Sequence, residues 1–144
     1  MEIRPKFGIA QLLFGMKEKD VIAVIGEPDR KFEDEDSNVI YVYNLLKLRL
    51  TFYEDENFRL GYITTSNPQS TVLGIKILGR NINEVTNQLT EKGIKEWETE
   101  EFDISTNYFN ERNWLILEEE FNEVVKVEIG AIINDKDEFE WKFR

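Results

Sequence analysis

Two stretches of the chain carry the apolar spacing of a short helix, and each is followed by a long run with the period of strands. Val21, Val24 and Ile25 stand at i, i+3 and i+4, which gathers apolar side chains on one helical face. Gly15 marks the turn into this segment, and Gly26 and Pro28 end it. Glycine accepts the left-handed conformation past a helix end, and proline cannot extend the helix. The pattern predicts a helix over about 17–25, with Lys17 a weak cap. A second helix is predicted over about 82–92, with Asn81 as N-cap, Glu84 three residues on and Gly93 as the stop.

After each helix the period changes to two. Leu46, Leu48, Leu50 and Phe52 alternate with Lys47, Arg49, Thr51 and Tyr53, as a half-buried strand requires. Strands are expected over about 38–65 and again over about 103–133. The copies can be laid on one another. Gly15 and Gly79, Asp20 and Glu84, Val21 and Val85, and Ile25 and Leu89 are each 64 residues apart. Tyr43 and Tyr108, Leu50 and Leu115, Phe52 and Leu117, Glu54 and Glu119, Leu60 and Val125, and Tyr62 and Val127 are 65 apart. The expected organisation is a first repeat over 1–66, a linker at 67–70 and a second repeat over 71–144. Phe139, Trp141 and Phe143 alternate with charges and predict a last edge strand at about 138–143. The fold class expected is α+β: two tandem units of helix plus antiparallel meander, forming one curved sheet with both helices on one face.

The hydrophobics and glycines of the first unit, Gly15, Met16, Val21, Ile25, Gly26 and Pro28, resemble the helix-plus-meander module of the SmpA/BamE-like assembly lipoproteins and of the β-lactamase inhibitor proteins. The second unit keeps Gly79 and Val85 and ends its helix at Gly93. The lipoproteins resembled carry a lipid-modified cysteine and the inhibitors carry disulfides; this chain has no cysteine. The resemblance therefore implies a non-enzymatic protein-binding module placed in a reducing compartment, like the immunity proteins that neutralise toxins inside the producing bacterium.

Composition narrows the chemistry. The 144 residues include no cysteine and no histidine, which removes thiol chemistry, His-based triads and His-ligated metal sites. Lys plus Arg number 18 and Asp plus Glu 29, for a net charge of −11. That balance argues against nucleic acid or an anionic membrane as partner, because both are held by neutralising phosphates. It suits a basic protein partner, such as a toxin domain. Arg4 and Lys6 before the apolar run 7–16 imitate a signal peptide, but KEKD follows where small residues belong, so a cytoplasmic location is expected.

The charge runs yield no strong motif. Asp34 to Asn38 begins like a calcium loop, but Val39 and Leu45 occupy the positions of the required glycine and terminal glutamate. Glu118 and Glu120 could flank a glycosidic bond only if one had a raised pKa in an apolar site. No catalytic, cofactor or metal residue is therefore expected. The candidate partner-binding residues are Arg49, Tyr53, Trp114 and Ile116, on the sheet face opposite the core, and the acids Asp34, Glu35 and Asp36, which could mimic nucleic acid toward a nuclease toxin. Leu115 and Leu117 are matched to the core positions Leu50 and Phe52, and alternation turns Trp114 and Ile116 the other way. The rival for Trp114 is burial beneath the C-terminal segment. Two further expectations are a homodimer through the C-terminal edge strand and, as the alternative function, a small-molecule or sensory domain with a pocket between sheet and helices.

Overall fold

The computed structural model describes residues 1–144. Strands take 42% of them and helices 15%, in two sheets of five and eight strands. This corrects the expected class: the protein is mostly β, with two sheets and only two helices, not an α+β fold of two tandem helix-plus-meander repeats sharing one curved sheet. The reason lies in segments whose strands are too short to show a period. Strands β1 (Glu2–Arg4), β2 (Gly8–Ile9), β3 (Leu12–Leu13), β8 (Thr71–Val72) and β9 (Ile75–Lys76) have two or three residues each. They form a five-stranded sheet in the order β3-β2-β1-β8-β9, in which β1 and β8 run parallel.

Helix α1 (Glu18–Ile25) follows β3, and helix α2 (Ile82–Glu91) follows β9. Asp20 accepts from the Lys17 backbone N–H (3.0 Å), so the first turn of α1 is closed from inside. Asn81 Oδ1 accepts from the N–H groups of Asn83 and Glu84 (2.9 and 3.2 Å), as a helix cap does.

The large sheet contains β4 (Arg30–Glu33), β5 (Val39–Tyr43), β6 (Leu48–Tyr53), β7 (Arg59–Thr65), β10 (Glu98–Glu101), β11 (Ser105–Asn110), β12 (Leu115–Glu120) and β13 (Glu123–Gly130). Its order is β10-β11-β12-β13-β7-β6-β5-β4. Two four-stranded meanders therefore meet along a seam where β13 pairs antiparallel with β7. One face packs against the helices and the small sheet. Leu50, Phe52, Ile63, Leu115, Leu117 and Val127 from that face join Val21, Val85, Leu89, Ile3, Ile9 and Val72 in a single core cluster.

The correspondence between meanders is offset from the one the sequence suggested. The β5–β6 loop runs from Tyr43 to its partner Leu48, and the β11–β12 loop from Asn110 to its partner Leu115. Leu48, not Leu50, therefore stands where Leu115 stands, 67 residues earlier. The last loop residues agree: Lys47 and Trp114 both have positive φ, 53° and 45°. An error of two residues leaves every side chain on its assigned face, because the strand period is two.

The C-terminal segment is not an edge strand. Ile133 and Phe139 make one antiparallel bridge, and the N–H groups of Lys142 and Phe143 donate to Phe14 O (both 3.0 Å). The segment wraps the end of the sheet, whose open edges are β4 and β10.

Candidate functional site

The face of the large sheet away from the helices is assembled from residues that alternate with the core set. One cross-strand row reads Val42, Arg49, Thr64, Glu128, Ile116, Phe109, Glu98 from β5 to β10. Arg49 and Ile116 are thus brought to one face and one row. Trp114 reaches the same face from the loop: its ring lies over Gly130, where an added Cβ would stand 2.5 Å from the indole Cδ1. It also meets Phe109 edge-on, with centroids 5.1 Å apart. Tyr53 repeats the device in the other meander, its ring lying over Gly61.

The choice between an open patch and a covered one is resolved differently for these two aromatics. Tyr53 is covered, since Phe139 packs on it at 5.7 Å and Trp141 stacks on Phe139 at 4.7 Å. Burial pushes the Tyr53 hydroxyl pKa up. Trp114 remains 39% exposed. It precedes β12 and occupies a left-handed loop position (φ 45°), a conformation that bulky residues seldom adopt.

Trp114 stands between two clefts. The first, about 380 Å³, is walled by Tyr53, Tyr62, Trp114, Ile132, Ile133 and Phe139, with Glu111 and Arg112 at its rim. The Tyr62 hydroxyl donates to Glu128 Oε1 across the seam (2.7 Å). Burial foremost, then the Glu128 charge, raises the Tyr62 pKa. The second cleft, about 300 Å³, lies against the β10 edge and is lined by Glu98, Thr99, Glu100, Asn107, Phe109, Trp114 and Ile116. A third depression at the end of β6, about 270 Å³, gathers Lys47, Arg49 and Lys126 with Thr64 and Ser66. Basic side chains therefore gather beside β6 and unpaired acidic ones at the β10 edge.

The acids 34–36 have a different role and line none of these clefts. Asp34 Oδ1 accepts from the N–H groups of Asp36 and Asn38 (both 2.9 Å), and Oδ2 from the Asn38 side chain (3.2 Å). Although its surroundings resist the charged form, those hydrogen bonds hold the Asp34 carboxyl below its ordinary range. Asp34 builds the β4–β5 turn, and Glu35 and Asp36 project into solvent. Glu118, weighed as half of a carboxylate pair, is bonded to Lys126 (3.3 Å). No group of three Asp, Glu, His or Cys side chains is close enough to hold a metal ion. No helix is long and apolar enough to cross a membrane.

Sequence reasoning missed the C-terminal wall of the first cleft, Ile132, Ile133 and Phe139, and the row Phe109–Ile116. The alternation of Phe109 with Tyr108 and Asn110 was the available signal for the row.

No protein-family model matches the chain, and no curated protein resembles it at a significant level. Among solved structures it is similar to an extracellular protein containing an SCP domain from Bacillus anthracis str. Ames, with a TM-score of 0.52 and 16% identity. The likeness covers 80% of this chain and 43% of that one, so the chain spans less than half the length of the protein it matches. At that identity the likeness is one of fold.

Proposed function

We propose that the chain is a non-catalytic protein-binding module that engages its partner through the helix-free face of the large sheet, as an inhibitor or immunity protein does when it occludes a cognate toxin or enzyme. The supporting observation is Trp114: a bulky indole, 39% exposed, at a left-handed position between an apolar and an acidic cleft. Trp, Tyr and Arg dominate the energetics of protein interfaces when set in such pockets. Arg49 and Ile116 stand on the same face, with basic side chains beside β6 and acidic ones at the β10 edge to orient a partner. The absence of cysteine suits a reducing cytoplasm, whereas the structural neighbour is described as extracellular; fractionation of the native cell decides that point.

The test is capture of a partner encoded beside this gene, at moderate salt. Trp114→Ala should reduce retention by about tenfold or more, since truncating a hot spot costs about 2 kcal/mol. Phe121→Ser, at an 84% exposed residue of the β12–β13 loop, should not. Equal retention by the two variants refutes the reading.

A second reading, a small-molecule site, draws on the first cleft, whose roughly 380 Å³ falls in the range of about 300–1,000 Å³ usual for ligand pockets. Its place is the helix-free face. Between sheet and helices the side chains are packed, with Leu50, Phe52, Val85 and Leu89 fully buried. A metabolite that raises the melting temperature in a thermal-shift screen, with the effect lost in Ile133→Asp, favours this reading.

A further inference from the structure

Several glutamates stand on the helix-free face between the seam and the β10 edge, and two of them are engaged within the chain. Glu118 is bonded to Lys126 and Glu128 accepts from Tyr62. The carboxylates of Glu98 and Glu100 make no hydrogen bond or ion pair within the chain, and both residues line the cleft beside Trp114. The register sets Glu98 opposite Phe109 and Glu100 opposite Asn107. Two unpaired carboxylates thus flank a floor made by the Phe109–Trp114 edge-to-face pair. The floor also holds Asn107, whose Oδ1 is buried and meets no donor in the chain. No Lys or Arg lines this cleft.

A cleft with aromatic walls and carboxylates at its rim is complementary to one kind of side chain. An arginine or lysine supplies a cation for the ring faces, charge-assisted hydrogen bonds for the carboxylates and an apolar stem for Ile116. The planar guanidinium fits best, because it stacks and bonds in a fork at once. We infer that the cleft formed by Glu98, Glu100, Asn107, Phe109 and Trp114 is a subsite for a basic side chain, arginine above all, presented by the protein partner. The inference rests on the protein-binding reading and adds the chemistry of what the partner brings. The alternative role for Glu98 and Glu100 is to blunt an open sheet edge against pairing with other chains. That role needs charge but no aromatic cleft.

The full chain, labelled with nitrogen-15, is titrated with acetyl-Gly-Arg-Gly-amide and with the peptide in which neutral citrulline replaces arginine, at low salt and up to millimolar concentration. The arginine peptide should give saturable shifts at the Trp114 indole N–H and at the amides of β10 and β11. The citrulline peptide should bind about tenfold more weakly or less, as loss of a charge-assisted contact predicts. Glu98→Gln/Glu100→Gln, a change confined to exposed side chains, should keep the dispersed spectrum and weaken the arginine peptide by a similar factor. Three results overturn the inference: no saturable shift, equal binding of the citrulline peptide, or shifts spread evenly over the acidic turns at 33–36 and 54–56. Failure here and failure of the protein-binding reading separate cleanly. If Trp114→Ala abolishes capture while Glu98→Gln/Glu100→Gln leaves it intact, the face binds protein without a basic anchor. If neither variant affects capture, the face is not the interface.

Discussion

Gly61 offers the sharpest test of how the helix-free face is held together. It lies mid-strand in β7, beside the irregularity where the pairing of β6 with β7 shifts at Thr51/Phe52. Its φ lies outside the left-handed region, so Gly61→Ala needs no backbone change. The added Cβ would stand 2.1 Å from Tyr53 Cε2 and 2.3 Å from Cδ2, well inside van der Waals contact, and the ring must leave. An aromatic side chain buries roughly 150–250 Å². Returning about a third of that to water costs about 1.5–2 kcal/mol at about 25 cal/mol per Å². Loss of the Phe139 contact adds about 0.5–1 kcal/mol, and Ala in a strand gives back about 0.5–1 kcal/mol relative to Gly. The net expectation is a loss of about 2 kcal/mol, read as a lower urea midpoint at unchanged m-value, or a melting temperature lower by about 4–8 °C. In a Tyr53→Ala background the clash has no partner, so the same substitution should be neutral or stabilise by about 0.5 kcal/mol. The decisive quantity is therefore a change of sign across a double-mutant cycle. If Gly61→Ala costs the same in both backgrounds, the ring does not occupy the space above the glycine and this account of the face is wrong.

Three further outcomes follow from the same geometry. Asn110 is fully buried, with Nδ2 donating to Lys95 O (2.7 Å) and Oδ1 accepting from the backbone and side chain of Asn113 (3.2 and 2.9 Å); Asn110→Ala should lose about 2–3 kcal/mol in chemical denaturation by stranding those groups, and a loss under about 0.5 kcal/mol would remove it as the organiser of the Trp114 loop. Ser70 is equally buried and its Oγ has no partner, so Ser70→Ala should leave the melting temperature unchanged or raise it; a clear fall would show that the hydroxyl has a partner after all. Burial pushes the Glu18 carboxyl up, but hydrogen bonds from Tyr41 (2.5 Å) and Lys31 (2.9 Å), with the Lys31 charge, outweigh that and hold it below its ordinary range. The stability it contributes is complete above the unfolded pKa of about 4.3 and is lost as pH falls through the lower folded value, so Glu18→Gln should flatten the acid limb of a stability–pH curve, and an unchanged limb would refute the linkage.

What the sequence made legible is what acts locally. A helix end is written in two or three residues, as in Gly26-Glu27-Pro28 or Asn81 with Glu84, and alternation along β6 or β12 needs only neighbours. The second sheet was illegible because β2, β3, β8 and β9 have two residues each, and a period cannot be read from two residues. With no period of their own, these segments fall inside the expected repeats 1–66 and 71–144 without signalling a sheet, so the pattern reads as α+β where the structure is mostly β. The offset between meanders escaped for a related reason. Aligning Leu50 with Leu115 satisfies the hydrophobic pattern as well as aligning Leu48 does, and the choice is made by loop conformation at Lys47 and Trp114, which the pattern does not encode. The faces of Arg49, Tyr53 and Ile116 survived the offset because it is even. The acids 34–36 were attractive as charge, and the structure shows why composition misleads there: Asp34 spends its oxygens on its own turn.

The glycines of the large sheet join these observations. Gly61 and Gly130 flank the seam in β7 and β13, Gly130 directly opposite Tyr62, and neither has a left-handed φ. Their backbones would suit other residues, and mid-strand glycine costs about 0.5–1 kcal/mol relative to Ala. What they provide is room on the helix-free side, which Tyr53 and Trp114 fill from above. The two rings meet different fates because the chain continues past β13: Ala131 N–H donates to Gly61 O (2.9 Å), which carries the C-terminal segment over Tyr53 and leaves Trp114 beyond its reach. The first cleft is the gap between that segment and Trp114, and the second is the gap between Trp114 and the β10 edge. Both exist because a large ring rests on a residue with no side chain and stands proud of a sheet that would otherwise be flat.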